Sequence, residues 1–402
     1  MIAYAAGLGK RGAEMLERRI VFGAPNIGEE EIEEVVQTLR SGWIGTGPKV
    51  SQFEREFAEF KQVTDAVAVS SCTAALHLSL IAAGVGDGDE VITTPLTFCA
   101  TANAIIHCGA KPVLVDVEPD TMNIDVNRLS AAITSRTRAI IPVHFAGRPC
   151  DMGAIASLAA HHNLKVVEDC AHAVEAEWHG HPTGTLGDFG CFSFYATKNI
   201  TTCEGGMILA RNPQDVARLK RLALHGMSKD AWKRFSDHNF QHYSVTEVGY
   251  KCNMTDLNAS IGLHQMRRLV KGHERRQHIW EQYDEAFAGL PFVLPPPEEP
   301  GTKHARHLYT LLVDPKRCGI TRSHLANELA NRQIGTGIHY TCLAEHPVYQ
   351  ERFGWQPDDY PMATAIGRQT ISLPLSAGLS DEDVNRIIME VRKAALVGAV
   401  AA

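Results

Sequence analysis

The sequence predicts an α/β protein: a seven-stranded, mainly parallel sheet clad with helices on both faces, followed by a smaller α/β C-terminal domain. Three observations carry this. Apolar, β-rich runs at 67–70, 91–94, 113–117, 139–143, 165–168, 191–194 and 207–210 are separated by helical or turn segments. A proline-rich stretch at 290–304 then interrupts the alternation. Beyond it, strand and helix signals resume on a smaller scale. The expected division is an N-terminal extension over 1–25, a large domain over 26–270 and a small domain over 271–402.

Composition narrows the function classes. The 402 residues are 45% hydrophobic and 21% charged, ordinary globular material with enough chain for a sizeable core. A net charge of -7 gives no electrostatic reason for nucleic acid or an anionic membrane as partner, which leaves a small molecule. The 10 cysteines form no C-x-x-C pair and many sit in apolar runs, so they read as reduced core residues rather than a disulfide frame or a zinc site. No metal is expected. There is no run of about 18 apolar residues, and the opening residues have no signal-peptide pattern, so the expectation is a cytoplasmic protein.

Taken in order, Gly7, Gly9 and Gly12 spell G-x-G-x-x-G, but with no room for a strand before them and no βαβ unit after; a frayed terminus is the reading. Ile27, Ile32, Val35, Val36 and Leu39 recur at helical spacing and predict an amphipathic helix over 29–41, stopped at Gly42. The turn-rich loop 45–48 leads to a second helix over 50–61. After the first strand, Ser71, Cys72, Thr73, Ala74 and Ala75 open a helix over 74–83. Small residues at such a junction let backbone N–H groups close on a phosphate, although a plain N-cap explains them equally. Phe98, three residues past Pro95, is either a core ring or one that stacks on a flat heterocycle. Asp116 and Asp120 read as structural turn residues.

Glu168 and Asp169 end a buried strand, and since side chains alternate across a strand only one of them faces a site; Asp169 is that candidate. Lys198 follows the run 191–194. An amine at a strand end among apolar residues is partly desolvated, which lowers its pKa and frees it to attack a carbonyl, the chemistry of Schiff bases; the other reading is a snorkelling surface lysine. A helix is expected over 211–224, a mobile loop over 228–243, an N-cap at Asp256 and a long basic helix over 267–287. In the small domain a strand over 308–313, a helix over 323–333, a site-facing run over 335–340 and a last helix over 381–396 complete the order.

The stretch 187–206, GDFGCFSFYATKNITTCEGG, resembles the lysine segment of the DegT/DnrJ/StrS sugar aminotransferases, with F-S-F-x-x-x-K and the closing Gly205-Gly206 pair in place. The resemblance extends over about residues 21–391. It implies the PLP-dependent transferase fold type I, which is aspartate aminotransferase-like, and pyridoxal 5'-phosphate as cofactor. It implies that Lys198 holds the cofactor and moves a proton, and that Asp169, 29 positions earlier, pairs with the pyridine nitrogen. It further implies that Phe98 lies against the ring, that His172 contacts the ring oxygen, and that Cys72, Thr73, Ala74 and Ser193 cradle the phosphate, although the family usually has glycine where Cys72 stands. Asn253 would reach the phosphate from a neighbouring subunit, making a homodimer. Trp43 and Thr46 would belong to the loop, 43–48, that borders the sugar site in the family. His339 and Tyr340, in GTGIHY, resemble the substrate side of members that make 4-amino-4-deoxy-arabinose nucleotides. The implied reaction moves an amino group from glutamate, released as 2-oxoglutarate, to a keto sugar nucleotide, first choice a UDP-linked 4-keto sugar. The rivals are a Rossmann-type nucleotide-sugar oxidoreductase and a non-catalytic binding or regulatory relative. Family dehydratases carry histidine in place of the lysine, so Lys198 argues for amino transfer.

Overall fold

The computed structural model describes residues 18–228 and 244–400. Along the chain, α1 (Glu29–Ser41) and α2 (Pro48–Phe60) precede β1 (Val67–Val69). Strands and helices then alternate: α3 (Cys72–Ala82), β2 (Glu90–Thr93), α4 (Cys99–His107), β3 (Lys111–Leu114), α5 (Val126–Ala132), β4 (Thr137–Ile140), α6 (Met152–His162) and β5 (Lys165–Asp169). A short hairpin, β6 (Glu177–Trp178) and β7 (His181–Pro182), comes before β8 (Phe189–Ser193) and β9 (Gly206–Ala210). Next are α7 (Pro213–Leu222), α8 (Asp256–Arg267), α9 (Leu269–Phe287), β10 (Thr302–Lys303) and β11 (Tyr309–Leu312). The chain closes with α10 (Pro315–Cys318), α11 (Arg322–Asn331), α12 (Pro347–Phe353), α13 (Pro361–Gln369), β12 (Thr370–Leu373) and α14 (Asp381–Val400).

All seven apolar runs are strands of one sheet, in the order β1-β9-β8-β5-β4-β2-β3. The pairs from β8 through β3 are parallel, and β9 runs antiparallel to both β8 and β1. A parallel strand covered on both faces has no polar side to show, which is why these segments read as continuous apolar runs. Their carboxyl ends, where an open α/β sheet leaves room for a ligand, carry the site described below.

Two helices depart from expectation in an informative way. The periodicity of α1 is as predicted, with glutamates at its positive end and Gly42 closing it at φ 75. Yet Ile32 and Leu39 are exposed, at 49% and 53%, while Glu31 and Thr38 are buried. The cause is the face that α8 offers: Gln265 and Arg268 donate to Glu31, and His264 lies 2.9 Å from Glu34. Asp256, expected to cap its own helix, instead accepts the Gly47, Lys49 and Val50 N–H groups at 2.8, 3.1 and 3.0 Å, so it caps α2. Thr255 caps α8 through the Asn258 N–H. The single helix expected over 267–287 is broken at Arg268 between α8 and α9. Asp116 is structural as read, accepting the Met362 and Ala363 N–H groups at the start of α13.

The C-terminal core is built by Trp280, Tyr283 and Phe287 of α9 against β11, β12 and α14. Ile20 joins that core from the opposite end of the chain: its N–H donates to Gln333 O and its carbonyl accepts from Gly335 N, both at 2.8 Å. The proline-rich stretch is pinned by Arg148, whose guanidinium donates to the carbonyls of Pro296 and Pro297. The glycines 7, 9 and 12 and the expected loop beyond Ser228 lie outside the described residues. No helix among the described residues is long and apolar enough to cross a membrane.

Candidate active site

The two carboxylates at the end of β5 face opposite ways, as the alternation requires. Glu168 is fully buried and accepts the N–H groups of Gly184, Leu186 and Gly187 at 2.8, 2.8 and 2.6 Å. His144 Nδ1 accepts from the Cys150 N–H, so its Nε2–H donates to Glu168, 3.0 Å away. Burial pushes the Glu168 pKa up, but His144 and these N–H groups outweigh it and hold it below the ordinary value. Cys170 converges with His144 and Glu168 within 4.8 Å, but the carboxylate is already spent on those donors. This side of the strand is an anchor.

Asp169 points the other way, into a cavity of about 300 Å³. Thr101 Oγ1 donates to its Oδ2 at 2.8 Å and the Ala171 N–H to its Oδ1 at 3.1 Å. Burial raises its pKa above the ordinary value, with Thr101, Ala171 and Lys198 opposing. A carboxylate so desolvated gains most from a cationic partner in the cavity.

Lys198 lines the same cavity. Its N–H closes a turn on Tyr195 O at 2.9 Å, immediately after β8. Part of the side chain faces open space, yet its surroundings strip water from the amine: burial lowers its pKa to about 8, against the opposing influence of Cys72 and Asp169. This placement fits the activated-amine reading of Lys198.

At the start of α3, Ser71 is the N-cap and its Oγ accepts from the Ala74 N–H at 3.1 Å. The N–H groups of Cys72 and Thr73 are in the first turn, where no helix carbonyl reaches them. Both residues line the cavity, as does Ser193. Ala74 does not line it, and its N–H donates to Ser71 Oγ. Gly206 presses on this junction; a Cβ there would stand 2.5 Å from the Ser71 carbonyl carbon, so its lack of a side chain permits the packing.

Phe98 is 57% exposed at the N-cap of α4, 6.0 Å from the Tyr340 ring, which rules out the core reading. His172 is buried: its Nδ1 accepts the Ala146 N–H at 3.3 Å, so Nε2 carries the proton and donates to Tyr340 Oη at 3.0 Å. Burial, then Lys198, depresses its pKa well below the usual histidine value. His339, whose Nδ1 lies 2.8 Å from Ser372 Oγ, also lines the cavity with a pKa lowered by burial to about 4. Thr97, Thr101, Tyr195 and His307 in this wall were not found from the sequence.

Trp43, Thr46 and Asn253 are not in the Lys198 cavity. They line a second one of about 460 Å³, where Asn253 Nδ2 donates to Thr46 Oγ1 at 2.5 Å and Trp43 Nε1 to Thr46 O at 3.2 Å.

The donor set of the first cavity fits a flat, phosphate-bearing heteroaromatic aldehyde: free N–H groups at a helix start for the anion, an exposed ring beside the floor, a buried carboxylate for a ring nitrogen and a lowered-pKa amine for the carbonyl. Comparison with known proteins agrees. The chain is 48% identical over 382 residues to the spore coat polysaccharide biosynthesis protein SpsC of Bacillus subtilis, covering 94% of this chain and 98% of that one. Spr1654 of Streptococcus pneumoniae, assigned as a sugar aminotransferase and solved in its PMP form, superposes with a TM-score of 0.88 at 36% identity, over 95% of this chain and 99% of that one. Helicobacter pylori PseC, an aminotransferase involved in the biosynthesis of pseudoaminic acid, does so with a TM-score of 0.87 at 28% identity, covering 94% and 100%. The oxidoreductase and non-catalytic readings fall with these matches. A family model matches residues 25–392 as well, and the chain therefore belongs to the DegT/DnrJ/EryC1/StrS aminotransferase family, whose sugar aminotransferases depend on pyridoxal phosphate.

Proposed function

We propose that this protein transfers an amino group from glutamate to a keto sugar nucleotide, with a UDP-linked 4-keto sugar as first choice, and that it works as a cytoplasmic homodimer. The observation that carries the reading is the meeting of Lys198 and Asp169 in one cavity that is also lined by the polar and aromatic groups His172, His339 and Tyr340. Pyridoxal phosphate, when bound, supplies the electron sink for the carbanion formed at the donor's α-carbon. Lys198 Nζ, whose lowered pKa of about 8 leaves a sizeable share of free amine near neutral pH, takes the proton from that carbon and carries it onward. Asp169, held by Thr101 and Ala171, keeps its charge aimed at the ring nitrogen. Cys72, Thr73 and Ser193 bind the phosphate, Phe98 covers the ring, and His172 and Tyr340 stay neutral so that the cavity does not repel a cationic amine.

Two observations support a second subunit. Trp43, Thr46 and Asn253 form a group of their own apart from Lys198, suited to serving a neighbour's cavity, and α1 turns Ile32 and Leu39 outward. The names of SpsC and PseC favour an amino sugar product of polysaccharide or glycan biosynthesis. The nucleotide supplies binding energy remote from the reacting carbon. The test is a panel of UDP-, dTDP- and GDP-linked 3-keto and 4-keto sugars with glutamate, following 2-oxoglutarate release and aminated product. Preference for 3-keto sugars, or for free keto acids over every sugar nucleotide, refutes this substrate.

A further inference from the structure

His307 lies in the wall of the Lys198 cavity, and its ring packs 4.5 Å from that of His172 at 37°. Its protonation is fixed by a chain of contacts leading away from the cavity. Asn199, the residue after Lys198, donates from Nδ2 to Glu175 Oε2 at 2.8 Å and to Ala305 O at 2.9 Å. Both partners are acceptors, so the amide can only be oriented with Oδ1 toward His307 Nδ1, 2.9 Å away. Nδ1 therefore carries the proton. Glu175 is in turn held by Arg276 in a buried ion pair, each side chain 3% exposed, and Arg276 Nε donates to Arg306 O at 3.1 Å. Burial, then the charge of Lys198, keeps the imidazole neutral.

A neutral ring protonated on Nδ1 has a bare lone pair on Nε2, which can only accept. His307 Nε2 has no hydrogen-bond partner among the described residues, and it is not sealed from solvent; since His307 lines the cavity, this nitrogen opens on it. Tyr340 is the complement. Its Oη accepts from His172 Nε2–H, which leaves its own O–H to donate, and burial keeps the phenol protonated. Both groups border on His172, so the cavity wall offers one acceptor and one donor around that ring.

We propose that His307 Nε2 is a substrate-contacting acceptor of the hydrogen bond from the hydroxyl next to the keto carbon of the sugar while Tyr340 O–H donates to the keto oxygen, and that Asn199, Glu175 and Arg276 are positioning residues that hold the required tautomer. An α-hydroxy ketone presents this donor and acceptor pair; a simple 2-keto acid does not. The proposal rests on the sugar aminotransferase reading and specifies how the sugar is read.

The experiment separates the half-reactions of the pyridoxal phosphate-loaded protein. His307→Asn keeps a donor for Asn199 but has no acceptor at the Nε2 position, whereas His307→Gln places an amide oxygen near it. His307→Asn is expected to slow amino transfer to the keto sugar nucleotide by about ten- to hundredfold, leave the glutamate half-reaction within about twofold of wild type, and lose its penalty on an analogue lacking the adjacent hydroxyl. His307→Gln is expected to recover most of the rate. Equal slowing of both half-reactions, or an undiminished penalty on the deoxy analogue, overturns the proposal. ¹⁵N NMR of the cofactor-free wild-type protein gives a second readout independent of activity, with the His307 signals assigned by their absence in the variant: an Nδ1–H tautomer supports the proposal and an Nε2–H tautomer overturns it. A wild-type protein that reacts with glutamate but aminates no keto sugar overturns the sugar reading itself, and this proposal with it.

Discussion

The reactivity of Lys198 can be read as a pH profile. With a pKa of about 8 in place of 10.5, about 9% of the side chain is free amine at pH 7, roughly 300-fold more than an ordinary lysine would show. Capture of pyridoxal phosphate by cofactor-free protein should therefore accelerate nearly tenfold per pH unit from pH 6, pass its midpoint near 8 and flatten above about 9. Burial sets the direction, and Asp169 is one of two groups opposing it, so Asp169→Asn should move the midpoint lower still. The assay is stopped-flow absorbance at each pH, followed by borohydride reduction and peptide mass spectrometry. Lys61 supplies an internal control. Its pKa is also lowered to about 8 by burial, but its Nζ is tied to Thr183 O at 2.9 Å and covered by the Phe192 ring. A midpoint above 10, or label on Lys61 rather than Lys198, would refute the reasoning, since it would mean that the desolvation or the access has been misjudged.

Three further outcomes are expected. Asp169→Asn should retain the cofactor, seen by its visible absorbance, yet turn over about a thousandfold more slowly, as loss of roughly 4 kcal/mol of transition-state stabilisation requires; a loss under threefold would count against its role. Glu168→Ala strands the buried N–H groups of Gly184 and Gly187, the part-buried one of Leu186 and the buried His144, and should cost about 3–5 kcal/mol in denaturant unfolding. Because the folded Glu168 pKa is depressed, its contribution is complete above the unfolded value of about 4.3 and fades as pH falls through the folded one, so wild type and variant should converge in acid. Mixing Lys198→Ala with Asn253→Ala chains should restore activity in mixed dimers; no recovery after verified subunit exchange would remove Asn253 from the neighbour's site.

What the sequence could reveal follows from the range of the interactions involved. The seven strands were legible because burial on both faces writes itself into consecutive residues. Asp169 could be told from Glu168 because alternation along one strand is local. The periodicity of α1 was equally plain, but which face turns inward depends on Gln265 and Arg268, more than 200 residues away, and the usual assumption that apolar means inward fails there. Asp256 was recognisable as a cap, but its proper helix begins 208 residues earlier, at Pro48. Thr101 and His307 gave no signal at all. Their roles arise from partners 68 and 108 positions distant, Asp169 and Asn199, and neither threonine nor histidine is marked by its neighbours for such a task.

The pairing of Ile20 with residues 333–335 also has a temporal meaning. Phe22 and Gly23, which follow directly, form part of the wall around Lys198, and Phe22 lies 5.4 Å from the His339 ring. On a ribosome adding about 5–20 residues per second, more than 300 further residues take roughly 15–60 s to appear, and until then this strip of wall has nothing to pair with. The sheet, with Asp169 and Lys198 at the carboxyl ends of its central strands, can form in the meantime. The desolvation that lowers the Lys198 pKa is therefore completed late, because Phe22, His307, His339 and Tyr340 close the wall around it only after residues 333–340 have been made.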